Sequence, residues 1–173
     1  INPTYGSIQK LYTRNSDLVT FCEDKVLRIL ANKDALFNAD GNTNLTATSN
    51  VLGQTIPFAG SYGISKNPES FSYEKYRAYF TDKQRGAVLR LSMDGITPIS
   101  EYGMSNYFRD NLKNATKILG SYDAYNKEYN VTISSGDKKE TVSYKERVNG
   151  WSSFKSYTPE FALSSSNTYY SFD

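Results

Sequence analysis

The chain has 173 residues, enough for one domain with a real core. Its 20 Lys and Arg against 18 Asp and Glu are interspersed, as in Glu23-Asp24-Lys25 and Asp137-Lys138-Lys139-Glu140; they read as solvated turns, and neither nucleic acid nor an anionic membrane is an expected partner. Histidine is absent, which removes His-dependent triads, His metal sites and the usual general base near neutral pH.

The chain starts at Ile1 rather than Met and stops at Asp173, directly after the strand-like Thr168–Phe172. This is read equally as a piece cut from a longer protein or as an arbitrary boundary. No signal peptide is visible within these residues, and no apolar stretch among them is long enough to span a bilayer. Asn2 to Ser7, with Pro3 and Gly6, reads as an opening turn, and Ser7 to Tyr12 as a short strand. After a turn at Asn15-Ser16-Asp17, Leu18–Cys22 and Val26–Leu30 form a hairpin around Glu23-Asp24-Lys25. Cys22 is the only cysteine, so no intrachain disulfide exists; it is expected as a small core residue, in a reducing compartment or a fold that needs no staples.

From Ala31 to Asn50 the alternation fails. Asn32–Phe37 is expected to make a helical turn and Asp40-Gly41-Asn42-Thr43-Asn44 a loop, with residues 34–50 as a candidate insertion. Val51–Ala59 is an edge strand, interrupted by Gly53 and Pro57, and Gly60–Glu69 a loop. Ser70–Phe80 and Ala87–Met93 make the clearest hairpin. Tyr76, Ala78 and Phe80 fall on one face, as do Leu89, Leu91 and Met93, the period of half-buried strands. Ile96–Ser100 follows as a third strand. Residues 105–112 are the best helix, with Ser105 as N-cap and Met104, Phe108 and Leu112 on one face. Ile118–Tyr122 and Glu128–Ile133 form another hairpin, with Tyr129, Val131 and Ile133 on one side and Asn130 and Thr132 on the other. Glu140–Lys145 continues the meander, and Gly150–Phe154 and Thr168–Phe172 are the last strands.

A faint repeat joins these elements. Val26-Leu-Arg-Ile29 recurs as Val88-Leu-Arg-Leu91, and Phe21-Cys-Glu-Asp-Lys25 has a counterpart in Phe80-Thr-Asp-Lys83, each with its Arg on the outer face. Repeated strand units of roughly 40–50 residues are the mark of propellers, while an antiparallel β-sandwich remains an alternative.

Candidate chemistry is sparse. Glu23, Asp24, Asp82, Asp94, Asp110 and Asp123 lie at turns, where Asp satisfies turn amides; no pair of carboxylates visibly converges. No catalytic residue is assigned. Asp40–Asn44 offers oxygen ligands without the EF-hand spacing, and Gly60-Ser-Tyr-Gly63 lacks the lysine and helix of a phosphate loop, so no metal or cofactor is expected. The sequons at Asn44, Asn114 and Asn130 are of the kind that arise by chance in a chain rich in Asn, Ser and Thr. The 15 Tyr, 9 Phe and 1 Trp suit strand packing and also a binding surface. Trp151, Phe154 and Tyr157 are the candidate contacts for a partner chain or a glycan.

Four stretches carry a resemblance: Ile64-Ser-Lys-Asn-Pro-Glu-Ser-Phe71, Tyr79–Tyr107, Ile118–Ile133 and Trp151–Tyr170. They resemble a segment of large virion structural proteins of tailed bacteriophages, the crAss-like gut phages and their relatives. Such proteins are similar to tail or tail-hub ("muzzle") components with propeller-like parts. The resemblance implies a non-enzymatic assembly role and a chain that is a fragment; it carries over no functional residue.

The expected fold is therefore mostly β, a single β-rich domain or propeller segment over 1–173, built of antiparallel meanders with one short helix. The expected function is a structural component of the phage tail or neck, made in the host cytoplasm and assembling with other virion proteins and copies of itself. A carbohydrate-binding β-domain is the alternative, and a carboxylate-based glycan-cleaving propeller the third reading.

Overall fold

The computed structural model describes residues 1–14, 17–31, 34–37, 43–46 and 52–173. Strands account for 52% of the residues, so the fold is mostly β. A first four-stranded sheet orders β1 (Ile8–Thr13), β2 (Asp17–Cys22), β3 (Val26–Ala31) and β6 (Leu52–Pro57). Between β3 and β6 a separate hairpin pairs β4 (Asp34–Phe37) with β5 (Thr43–Thr46). The second sheet orders β7 (Ser72–Tyr73), β8 (Ala78–Asp82), β9 (Ala87–Ser92) and β10 (Gly95–Pro98). After helix α1 (Ser105–Lys113), the third orders β11 (Lys117–Asp123), β12 (Glu128–Ser135), β13 (Lys138–Lys145) and β14 (Gly150–Lys155). A last hairpin joins β15 (Phe161–Ser165) to β16 (Thr168–Phe172). Among the described residues every pairing is antiparallel, and each joins neighbours in sequence except β3 with β6, between which the β4–β5 hairpin lies.

The three sheets stack in series. Val19, Phe21 and Val26 of the first meet Ala78, Phe80, Leu89 and Leu91 of the second. The opposite face of the second sheet carries Tyr79 and Val88, which pack with Ile118, Tyr129, Val131 and Tyr144 of the third and with Phe108 and Leu112 of α1. The second sheet is thus covered on both faces, and all five residues of β8 are buried. The expectation of half-buried strands is corrected here: a period-2 pattern was legible because one face is larger and more apolar, but Tyr79 and Thr81 are buried as well.

The first strands of the sheets stand beside one another. Tyr12 of β1 lies 5.4 Å from Tyr73 of β7 by ring centroid. Gly120 of β11 approaches the connection before β7 so closely that a Cβ there would sit 1.8 Å from the Ser70 carbonyl oxygen. Ala124, just past β11, donates its N–H to Ser164 Oγ of β15 at 3.0 Å.

Several boundaries differ from the sequence reading, each for a physical reason. Asp34–Phe37 is a strand, not a helical turn: four residues cannot support a helix nucleus, whereas pairing with Thr43–Thr46 supplies backbone partners. Residues 15, 16, 32, 33 and 40–42 of the expected turns and loop lie outside the described residues. Tyr76 and Met93 do not share the buried faces; they sit in turns, 67% and 89% exposed, because Glu74–Arg77 breaks the long strand and Ser92 pairs with Gly95 around Met93-Asp94. The helix runs to Lys113 and Ser105 is its first residue, the cap position being Met104 without a side-chain cap bond. Phe108 and Leu112 are buried and Met104 packs beside them, as the spacing predicts.

The repeat marks equivalent elements: the second and third strands of consecutive sheets, β2–β3 and β8–β9. Phe21 pairs with Val26, whereas Val88 pairs with Thr81. The β8–β9 turn is longer, so Phe80 is equivalent to Thr20 and not to Phe21. A one-residue slip exchanges faces, and the two phenylalanines accordingly point toward each other, 5.0 Å apart. The matched Arg90 is not on an outer face; it is turned into the space between the second and third sheets.

Candidate functional site

A cleft of about 900 Å³ opens where the first strands meet. β1 contributes Lys10, β7 and the turn after it Tyr73 to Lys75 and Arg77, β11 Leu119, Gly120 and Tyr122, and β15 Phe161 to Ser164. Successive residues of one strand line it. Side chains alternate between faces, so consecutive lining residues mean that a strand edge faces the cleft.

One wall is a charged cluster between the second and third sheets. Glu146, at the start of the 3-10 turn after β13, accepts from Arg90 Nη1 at 2.7 Å and from the Tyr79 hydroxyl at 3.0 Å. Arg77 Nε stands 3.9 Å from Glu146 and its Nη1 3.5 Å from Glu74. Two carboxylates from separate strand ends thus converge on one guanidinium. The sequence reading did not find this cluster, because its members lie far apart in the chain. Their chemistry is that of ion pairing: cations hold both carboxylates, and the Glu146 oxygens are taken by Arg90 and Tyr79. Burial and the Glu146 charge push the Tyr79 hydroxyl far above its ordinary range, so it stays a neutral donor. Tyr122, on the same wall, is pushed up to about 12 by burial and the Glu74 charge.

Of the carboxylates singled out at turns, Glu23, Asp24, Asp82 and Asp123 serve the fold, and Asp110 lies not at a turn but within α1. Asp82, fully buried, accepts from the backbone N–H groups of Gly63 and Arg85 and from Ser65 Oγ, and pairs with the Arg85 guanidinium at 3.0 Å. Arg85 also reaches Asp24 at 3.4 Å, tying the β8–β9 turn to the β2–β3 turn. Asp123 accepts from the N–H groups of Tyr125 and Asn126. Among the described residues no group of His, Cys, Asp and Glu is placed to hold a metal ion.

The three aromatic candidates are not brought together as one platform. Trp151 is half-buried: its ring lies 4.5 Å from Phe108 and 5.3 Å from Tyr144, and its indole N–H donates to Ile99 O at 3.0 Å. Phe154 lies on the same face, edge-on to Tyr107 at 5.5 Å, and is 57% exposed. Tyr157 sits on the opposite face of the third sheet, against Tyr169 at 5.9 Å, with its hydroxyl accepting from Asn130 Nδ2. Burial and the Tyr169 hydroxyl push it up to about 12. Asn130 is fully buried and also accepts from Ser143 Oγ, so this sequon is enclosed in the fold.

A second surface escaped the sequence reading, because β15 was not anticipated. The β15–β16 hairpin lays Ala162, Ser164 and Tyr169 against the third sheet, where Tyr169 hydrogen-bonds Ser121 at 2.7 Å. Its other face presents Phe161, Leu163, Tyr170 and Phe172, all exposed. The available signal was the two-residue Ser166-Asn167 turn, with both residues at positive φ as a tight hairpin requires.

Stacked antiparallel sheets whose carboxylates hold turns and ion pairs, with an uncovered apolar face at one end, define a structural β-scaffold. The chain belongs to the Crassvirus muzzle protein family, whose family model matches residues 2–173, and is thereby a structural protein of a phage virion. No curated protein matches the chain at a significant level. No helix among the described residues is long and apolar enough to cross a membrane.

Proposed function

We propose that the chain is a non-enzymatic assembly module of the tail or neck of the particle, and that its stacked sheets are a section of a β-propeller. The propeller reading is supported by three consecutive four-stranded meanders whose first strands stand side by side. Residues 34–50 are then an insertion in the first unit, between its third and fourth strands. Partners are other virion proteins and copies of the same chain, met in the particle after synthesis in the host cytoplasm.

The observation that carries the assembly reading is the outer face of the β15–β16 hairpin. Among the described residues the apolar residues that meet between the stacked sheets are buried, while Ile8, Leu11 and Phe154 are exposed at other places. On the hairpin face Phe161, Leu163, Tyr170 and Phe172 are 38–54% exposed, and the hairpin has two strands where the sheets before it have four. A contiguous apolar face beside a free strand edge is a surface for burial against another protein. Hydroxyl-radical footprinting tests it. In purified virions Phe161, Tyr170 and Phe172 are expected to be protected relative to the isolated chain. Equal reactivity in both, or absence of the chain from particles, contradicts the proposal.

Carbohydrate binding is the second reading, and the exposed ring of Phe154 favours it. Phe154→Ala is the cleaner test, because Phe154 is mostly exposed whereas Trp151 is half-buried and hydrogen-bonded to Ile99 O. Loss of binding on a glycan array with unchanged melting would support it.

A further inference from the structure

The cleft between the first strands carries an imbalance that the assembly face does not explain. Lys10, Lys75, Lys127 and Arg147 line it, and none is paired with a carboxylate among the described residues. Lys10 and Lys75 instead lie over the rings of Phe71 and Tyr76, at 5.3 and 5.2 Å. Of the lining carboxylates, Glu74 is paired with Arg77 and Glu146 with Arg90 behind the wall, which leaves Glu69 against Lys10, Lys75, Lys127 and Arg147. The second feature is backbone. Among the described residues β1, β7, β11 and β15 each pair with one strand only, the β11 edge being bridged at its end to β15 by the Ser164 hydroxyl, and consecutive residues of β11 and β15 face the cleft. Free edges offer N–H and C=O groups to an extended chain. Cations around them select its charge.

We propose that this cleft is a docking site for an acidic polypeptide segment in extended conformation, which adds along a free first-strand edge and places its carboxylates against Lys10, Lys75, Lys127 and Arg147. The inference goes beyond the assembly reading and does not depend on the chain's place in the particle. Polyuronate and single-stranded nucleic acid share the negative charge but lack the backbone amides that a strand edge reads.

The test is fluorescence anisotropy of the chain with a labelled ten-residue peptide of alternating Glu and Val. The expected result is binding at least tenfold tighter than that of the Lys-Val counterpart. It weakens at least tenfold in the Lys75→Glu/Lys127→Glu double variant, and at least tenfold when alternate peptide amides are N-methylated. Both lysines are exposed, so melting temperature is expected to be unchanged; if the reversal melts early, Lys127→Ala and Arg147→Ala are expected to show a several-fold loss. Absence of binding, indifference to these substitutions, or equal binding of the N-methylated peptide overturns the proposal. Full displacement by polygalacturonate or oligothymidylate with no effect of N-methylation reassigns the cleft to a general polyanion surface. None of these outcomes bears on the footprint of the β15–β16 face in virions.

Discussion

Glu146 is the residue through which the second and third sheets are locked. Its carboxylate, one-sixth exposed, takes bonds from Arg90 and Tyr79, and Arg77 stands near it. Truncation leaves Arg90 in a half-buried site without its partner, which costs more than the pair itself contributes. Glu146→Ala is expected to destabilise the fold by roughly 2 kcal/mol, read as a lower urea midpoint at unchanged slope. Gly120 acts by what it lacks. The Ser70 carbonyl occupies the space a Cβ would need, and Tyr129 donates to that same carbonyl at 2.6 Å. Gly120→Ala is expected to cost about 3 kcal/mol, since both neighbours are held in place. The tyrosines set an alkaline limit. Tyr122, Tyr144 and Tyr157 are each pushed up to about 12, chiefly by burial, from an ordinary value of 10.0. The unfolded chain releases these protons first, so their contribution is complete below pH 10 and lost as pH rises toward 12. Melting temperature is expected to be flat in its tyrosine-dependent part up to pH 10 and to fall above it, with tyrosinate absorbance rising at the unfolding transition.

At the scale of elements, α1 depends on its setting. Nine residues are too few for an isolated helix, and its stability comes from Phe108 and Leu112, buried against the second and third sheets. Phe108→Ala is expected to cost about 3–5 kcal/mol and to raise the fluorescence anisotropy decay of Trp151, which packs on that ring. Elements whose stabilisation is local were legible in the sequence. The hairpins at Leu18–Leu30 and Ile118–Ile133 announce themselves through alternation and polar turns, and the helix through its spacing of Met104, Phe108 and Leu112. The β15 strand was not legible, because Phe161-Ala-Leu-Ser-Ser alternates apolar residues with small ones and its turn lacks glycine. Tyr76 and Met93 misled because alternation continues past a strand's end when the next residues happen to fit. The cleft could not be read at all: Lys10, Arg77, Tyr122, Glu146 and Phe161 become neighbours only when the sheets stack.

The whole molecule is a series of sheets with unequal ends. The interface between the first and second sheets is aromatic, with Phe21, Phe71 and Phe80 in edge contact. That between the second and third combines stacked tyrosines with the Glu146 cluster. The outer face of the third sheet is polar, with Glu128, Asn130, Thr132, Thr141 and Ser143 all buried, and Tyr157 of the β14–β15 connection and Tyr169 of the last hairpin cover part of it. Different chemistry at each interface fixes the order of the sheets, since a displaced sheet would bury unmatched polar groups. Among the described residues the outer hairpin face exposes Phe161, Leu163, Tyr170 and Phe172 together, and the proposed assembly role has this face covered in the particle. The most direct measurement is a cryo-EM reconstruction of the purified virion at side-chain resolution. The account predicts three stacked four-stranded sheets in the tail or neck, with Phe161, Leu163, Tyr170 and Phe172 buried beneath a neighbouring protein surface. Density in which that face is open to solvent, or a particle without this chain, would contradict it.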